Sequence, residues 1–190
     1  MKTTAVILAA GAGVRLGRVA KALLAKDGRS FLQCIVETCR EVDIAHPIVV
    51  VGPPFAAEVG SAADRLGAAV IVNPEPERGM ASSVAVGFRA IDEATEAAWL
   101  WPVDHPFVAP ATLRTLMAAL MNHDAARPVY AGRGGHPPLI ARSLFAPLAT
   151  SENVAGGARS VLAAADTFDV VVDDPGCVRD IDTPVDWESV

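Results

Sequence analysis

The sequence predicts an α/β protein with a mostly parallel sheet covered on both faces, and two observations predict it. Short apolar runs recur along the chain, each followed by a segment whose apolar residues repeat at helical spacing. That alternation persists through residue 123, as expected for parallel strands joined by crossover helices and covered on both faces.

"TAVILAA" (4–10) reads as a buried strand. "SFLQCIVETCREV" (30–42) places Phe31, Leu32, Ile35, Val36 and Cys39 on one helical face, with Ser30 and Gln33 spaced as a capping box. "PIVVVG" (47–52) is the second strand, and "FAAEVGSAADRLG" (55–67) a helix closed by Gly67. "AAVIV" (68–72) is the third strand, followed by a helix over 80–94. "AAWLWPVD" (97–104) is the fourth, followed by a helix over 110–123 with Pro110 near its start. The last third is less regular: "PVYAG", the loop "GRGGHPPLI" (132–140), a helix near 157–165, the strand "TFDVVV" and the closing "DIDTPVDWESV". With no linker or repeat in between, residues 1–190 are expected to form one domain, its last third adding strands to the same sheet.

Hydrophobic residues make up 52% and charged residues 20%, a globular balance. A formal charge of −6 argues against a nucleic-acid partner and makes any anion site a local basic patch, of which Arg15, Arg18 and Lys21 form one. The 3 cysteines include no CxxC pair, which fits a reducing compartment. The apolar run after Lys2 is too short for a signal peptide, and no stretch reaches membrane-span length. The expected location is the cytoplasm. Trp99 and Trp101 read as packing, His46 and His123 as solvated, and Cys34 and Cys39 as small apolar residues.

The stretch "LAAGAGVRLGRVAK" (8–21) sets glycines beside basic residues at the end of the first strand. It has no Gly-Lys, which excludes a Walker A loop. Gly11, Gly13 and Gly17 are spaced one residue too long for the dinucleotide fingerprint, and the second strand ends "VVVGPP" without the acid that would hold a ribose. What remains is a loop whose backbone can approach a polyphosphate closely, or a tight turn carrying solvated basic residues.

The same stretch resembles the signature LAAGxxxRxGxxK of the MobA-like nucleotidyltransferases. "RGMASSVAVG" (78–87), "WPVDHPFV" (101–108), "GRGGHPPLI" (132–140) and "DIDTPVDW" (180–187) are similar to four further segments of that family, in the family's order. "LAAG" is closest to the molybdenum cofactor cytidylyltransferases; guanylyltransferases tend to show "LAGG". Ser30 stands where many members carry a proline, and Lys26 is an additional lysine near the loop.

The resemblance implies a three-layer, doubly wound α/β fold with a mostly parallel sheet, a Rossmann-like nucleotidyltransferase fold. It also implies transfer of a nucleotidyl group, CMP from CTP, to the phosphate of an acceptor such as molybdopterin, with Mg²⁺ bound, pyrophosphate released and a molybdoenzyme as a potential partner. Arg15, Lys21 and Asp104 take the catalytic positions. Leu8, Ala9, Ala10, Gly11 and Gly13, with Asn73, Gly79, Met80 and Ser82, fall in the nucleotide site. Gly135, His136 and Arg159 face the acceptor. Asp104 and Asp182 are the metal ligands, with Asp180 the alternative to Asp182. The rival readings are a GTP-dependent enzyme, a sugar-phosphate nucleotidyltransferase, an oxidoreductase offshoot with nicotine-blue reductase names, and a non-catalytic module that delivers cofactor to a molybdoenzyme.

Overall fold

Strand β1 (Thr3–Leu8) runs into the glycine loop, which holds two single 3-10 turns at Val14–Leu16 and Lys21–Leu23. A small antiparallel pair follows, β2 (Ala25–Lys26) with β3 (Arg29–Ser30). The chain then alternates: α1 (Phe31–Arg40), β4 (Ile48–Val51), α2 (Ala56–Arg65), β5 (Ala69–Val72), α3 (Met80–Arg89), β6 (Ala97–Pro102) and α4 (Pro110–Ala119). The last third contributes β7 (Ala125–Tyr130), β8 (Arg133–Gly134), β9 (Leu139–Ala141), α5 (Phe145–Ala149), α6 (Gly157–Ala163), β10 (Thr167–Val171) and α7 (Pro184–Glu188). This computed structural model describes residues 1–188, without the side chains of Arg15, Pro184 and Glu188.

The main sheet is ordered β10-β7-β9-β6-β1-β4-β5, with β8 paired to β7. β1 lies parallel to both β4 and β6, β4 to β5, and β7 to β10. Only β9, with the short β8, opposes that direction: it runs antiparallel to β6 on one side and to β7 on the other. From β1 the chain steps outward through β4 and β5, then returns across the sheet to β6. The carboxyl ends of β1 and β6 are therefore neighbours from which the chain departs to opposite sides, the topological position at which α/β sheets bind ligands.

Alternation along the strands sends side chains to two cores. Ala5, Ile7, Trp99 and Trp101 pack with residues of α1, α2 and α4 on one face. Val6, Leu8, Ala98 and Leu100 pack with residues of α3, α5 and α6 on the other. Trp99 and Trp101 are fully buried, as the packing reading requires, and Trp101 Nε1 donates to the His105 carbonyl at 2.9 Å. Helix α3 lies close against the sheet because Gly87 has no side chain; a Cβ there would fall 2.3 Å from a Val6 methyl. The close approach brings the start of α3, Gly79 and Met80, to the carboxyl end of β1.

Several boundaries differ from the sequence reading. The helix expected over 80–94 ends at Arg89, and that over 110–123 at Ala119. The strand expected over 97–104 stops at Pro102, which leaves Val103 and Asp104 in the turn beyond it. The capping box forms by half. Ser30 Oγ accepts from the Gln33 amide at 3.1 Å, but the Gln33 side chain donates along its own helix to Glu37 at 2.8 Å and does not turn back. His123 is not simply solvated either: it pairs with Asp166 at 2.9 Å and stacks on Phe168. Cys39 is buried among apolar side chains, and burial pushes its thiol up to about 12. No helix among the described residues is long and apolar enough to cross a membrane.

Candidate active site

A cleft of about 430 Å³ opens at the carboxyl ends of β1 and β6. Leu8, Ala9, Ala10, Gly11 and Gly13 form one wall, Gly79, Met80 and Ser83 another, and Lys21, Asp104 and Asp182 the end. The loop is tight for a local reason. Gly13 adopts φ 56°, and a Cβ on it would meet the Val19 carbonyl oxygen at 2.0 Å. The amides of Leu16 and Arg18 both donate to the Gly13 carbonyl at 3.0 Å, which turns the chain back so that Lys21 faces the cleft. The Ala10 methyl is seated against Gly52, where any side chain would approach it to 3.0 Å. The side chain of Arg15, expected beside Lys21, lies outside the described residues.

Lys21 joins the two acids. Its ammonium is paired with Asp182 and lies 3.6 Å from Asp104 Oδ2. Asp182 is presented by a capping box at the start of α7, in which the Thr183 amide donates to Asp186 at 2.7 Å and the Asp186 amide to Thr183 Oγ1 at 3.3 Å. The cap therefore uses Thr183 and Asp186, and Asp182 turns to Lys21. Asp180, the alternative ligand, is exposed and is not part of the cleft wall. Asp104 Oδ1 is buried with no hydrogen-bond partner, and burial pushes this carboxyl up from its ordinary range against the pull of Lys21. An orphaned carboxylate oxygen beside a second acid is a donor set that suits a hard divalent cation, which takes one or two carboxylates and completes its shell with phosphate oxygens and water. The residues fit such an ion, although no cluster of three or more metal-ligating side chains occurs among the described residues.

Two residues expected on the nucleotide wall stand behind it. Asn73 is 1% exposed; its Nδ2 donates to Ser82 Oγ and Ser83 Oγ at 2.9 Å each, and its Oδ1 accepts from the Glu75 amide at 3.0 Å. Ser82 Oγ in turn donates to the Gly79 carbonyl at 2.8 Å. With both polar atoms of its amide hydrogen-bonded, Asn73 braces the turn that presents Gly79 and Met80 and is not part of the cleft wall. Ser83, in the first turn of α3, lines the cleft.

A second cavity, about 440 Å³, adjoins the first, with Met80 in the walls of both. Gly135, His136 and Arg159 all line it, so the structure brings together the three residues expected at an acceptor. Arg127, which the sequence reading passed over, lines it too and is held bidentately by Asp169 at 2.8 and 2.9 Å. Gly135 is required by space, since a Cβ there would fall 2.4 Å from the Cys177 carbonyl oxygen. Gly135→Ala is accordingly expected to destabilise the fold by about 1–3 kcal/mol, the usual effect of overpacking; thermal melts of the purified variant check it.

Another residue missed in the sequence is His105. It is 7% exposed and stacks on His136 with ring centroids 4.8 Å apart and an interplanar angle of 22°. Burial brings both rings down to about 4, which leaves them neutral at physiological pH. The segment "VDHP" carried this histidine in plain view, but nothing in its spacing pointed to a partner at 136.

The chain is similar to known proteins along most of its length. The MobA-like NTP transferase domain family matches residues 5–168, a span that includes Lys21 and Asp104 and stops before Asp182. The chain is 31% identical to the nicotine blue oxidoreductase of Paenarthrobacter nicotinovorans over 192 residues, which cover 95% of this chain and 92% of that protein. The crystal structure of Rv0371c from Mycobacterium tuberculosis H37Rv is similar with a TM-score of 0.81 and 27% identity, covering 100% of this chain and 97% of that one. A complex of Rv0371c with manganese gives 0.79 at 27% identity, with the same coverage. Molybdopterin-guanine dinucleotide biosynthesis protein A from Archaeoglobus fulgidus shares the fold, with a TM-score of 0.71 at 19% identity over 100% of this chain and 96% of that one.

Proposed function

The chain belongs to the MobA-like NTP transferase family and is a nucleotidyltransferase, and we propose that it transfers CMP from CTP to the phosphate of molybdopterin with release of pyrophosphate. One observation carries this reading. The Lys21, Asp104 and Asp182 cluster, with its orphaned carboxylate oxygen, sits at the end of a cleft that shares a wall with a second cavity. A triphosphate in the first cleft and a phosphate monoester in the second would meet beside that cluster.

The chemistry asks little of the protein beyond placement and charge. An ionised oxygen of the acceptor phosphate attacks the α-phosphorus in line; a new phosphorus–oxygen bond forms, and the bond to the pyrophosphate breaks. Leu8 to Gly13 hold the nucleoside along the first wall. Lys21, with Arg15 from the same loop, takes up the charge that grows on the leaving pyrophosphate. Asp104 and Asp182 would hold Mg²⁺, which when bound neutralises the phosphates and orients them. Gly135, His136 and Arg159 hold the acceptor.

The walls of the second cavity favour a ring system over a sugar. Val84, Leu100, Ala158 and Leu162 are among them, and Arg127 is already committed to Asp169. A sugar phosphate would leave several hydroxyls without partners, and an unpaired hydroxyl in an apolar site is costly. Arg159, exposed at the cavity wall, remains for the phosphate.

Base choice follows from Ala10. Ala10 lines the first cleft with its methyl packed towards Gly52, where a glycine would loosen the wall for a purine, and one methyl discriminates by about 1–3 kcal/mol. The catalytic efficiency with CTP is expected to exceed that with GTP by roughly ten- to two-hundred-fold, and Ala10→Gly is expected to shrink the gap. Pyrophosphate release assayed with molybdopterin and each of the four nucleotides tests this; equal rates, or a preference for GTP, would reject the cytidylyl assignment.

The near full-length similarity to nicotine blue oxidoreductase favours a second reading, in which the apolar cavity takes a flat heterocycle and the protein reduces it. The glycine spacing and the absence of an acid after β4 disfavour a nicotinamide cofactor. Flavin absorbance in the purified protein, or oxidation of a nicotinamide cofactor on adding the dye, would decide for that reading.

A further inference from the structure

The His105–His136 stack joins the loop that carries Asp104 to the loop that carries Gly135. Each ring is fixed by something different. His105 is held by its Nδ1 at 3.1 Å from the Arg179 carbonyl, so that nitrogen carries the proton and donates. The backbone of residue 105 is held too, its carbonyl accepting from Trp101 Nε1. His136 is anchored only through its backbone, the amide donating to the Cys177 carbonyl at 2.7 Å. Its ring has no hydrogen bond among the described residues; Nδ1 is buried without a partner, whereas Nε2 is not among the buried atoms. A buried acceptor without a partner is better tolerated than a buried N–H, so the favoured neutral tautomer carries its proton on Nε2, the accessible nitrogen of a side chain that lines the second cavity.

We infer that His105 is a positioning residue for the acceptor: its ring, pinned to the Arg179 carbonyl, holds the unanchored His136 ring face to face, so that the Nε2–H of His136 donates to an oxygen of the acceptor phosphate. The inference rests on the proposed acceptor site. It adds that His136 donates there from Nε2 and that a residue outside the cavity sets its direction. His105 lines neither cavity, so its effect reaches the acceptor only through the stack.

Two substitutions separate the stack from the rest of the side chain. His105→Ala removes the face that His136 lies on. His105→Phe removes the bond to Arg179 but keeps an aromatic face. The KM for molybdopterin is expected to rise about tenfold in His105→Ala, the loss of one well-placed neutral hydrogen bond, while the KM for CTP stays within about twofold. His105→Phe should recover most of the acceptor affinity. The ring protons of His136 supply a readout that needs no acceptor: their upfield NMR shift, caused by the facing ring, should vanish in His105→Ala and persist in His105→Phe. Three results overturn the inference: ring protons of His136 indifferent to His105→Ala, the two KM values rising together, or no recovery in His105→Phe. A wild-type protein that transfers nothing to molybdopterin defeats the acceptor assignment and with it the role in binding, while the ring protons still decide whether His105 orients His136.

Discussion

Replacing Asp104 with Asn is expected to raise the melting temperature of the metal-free protein while lowering nucleotidyl transfer by at least about 10²-fold. The two effects have one origin. Burial pushes the Asp104 carboxyl up from its ordinary range, more than Lys21 pulls it down. Folding thus favours its protonated form, which contributes stability at low pH and loses that contribution as the pH rises through the elevated folded value. At neutral pH the ionised side chain opposes folding, and Asn keeps the shape without the charge. The gain in melting temperature should therefore fade on acidification, as wild-type Asp104 takes up its own proton. Melts across that range, with calorimetry against Mg²⁺, test both halves; undiminished turnover in a folded Asp104→Asn protein would remove Asp104 from the metal site.

Lys21→Ala is expected to act in the opposite direction on stability and in the same direction on rate. Without the ammonium, Asp104 and Asp182 are left together in a half-buried cleft with less to offset their repulsion, so the melting temperature should fall at neutral pH. Turnover should drop by about 10²-fold or more, the usual loss for one preorganised charge in a phosphoryl-type transition state. Binding of Mn²⁺ alone should survive, or tighten, because the lysine that competes for the two carboxylates is gone. Calorimetry with Mn²⁺ and no nucleotide reads this directly. If Lys21→Ala abolished metal binding together with turnover, the lysine would be acting by placing the acids and not by meeting the triphosphate.

Much of this site was legible because parallel α/β chains place function at strand ends. Once "TAVILAA" and "AAWLWP" read as buried strands of a mostly parallel sheet, the segments after them, with Lys21 and Asp104, share one edge of it; that the two strands are neighbours is what the structure adds. Asp182 came from the resemblance of its segment, and the structure gives the reason it faces inward: Thr183 and Asp186 satisfy each other and release it. What escaped the sequence escaped for physical reasons. The resemblance puts Asn73 in the nucleotide site, but spacing cannot reveal that Ser82, Ser83 and Glu75 already use its hydrogen bonds. His105 was overlooked because a stack between residues 105 and 136 depends on tertiary folding and leaves no local pattern. The direction of β9 was unreadable as well, since a three-residue apolar strand has no periodicity to interpret.

That reversed strand works as a ruler. Because β9 lies between β6 and β7, the chain leaves β7 at the carboxyl edge of the sheet, turns there at Ala131 and Gly132, and returns backwards through Gly135 and His136 into β9. The same insertion holds β7 two strand spacings from β6, roughly 10 Å, and so fixes the stride between the Asp104 loop and the far side of the second cavity. Backbone hydrogen bonds set that length, and no side-chain substitution can stretch it. The adjustable wall lies elsewhere, at α6, where Ala158, Arg159, Leu162 and Ala163 close the cavity from above the sheet. If the second cavity takes the acceptor as proposed, changes of acceptor should be written in residues 154–165, while the rigid gauge beneath them stays constant.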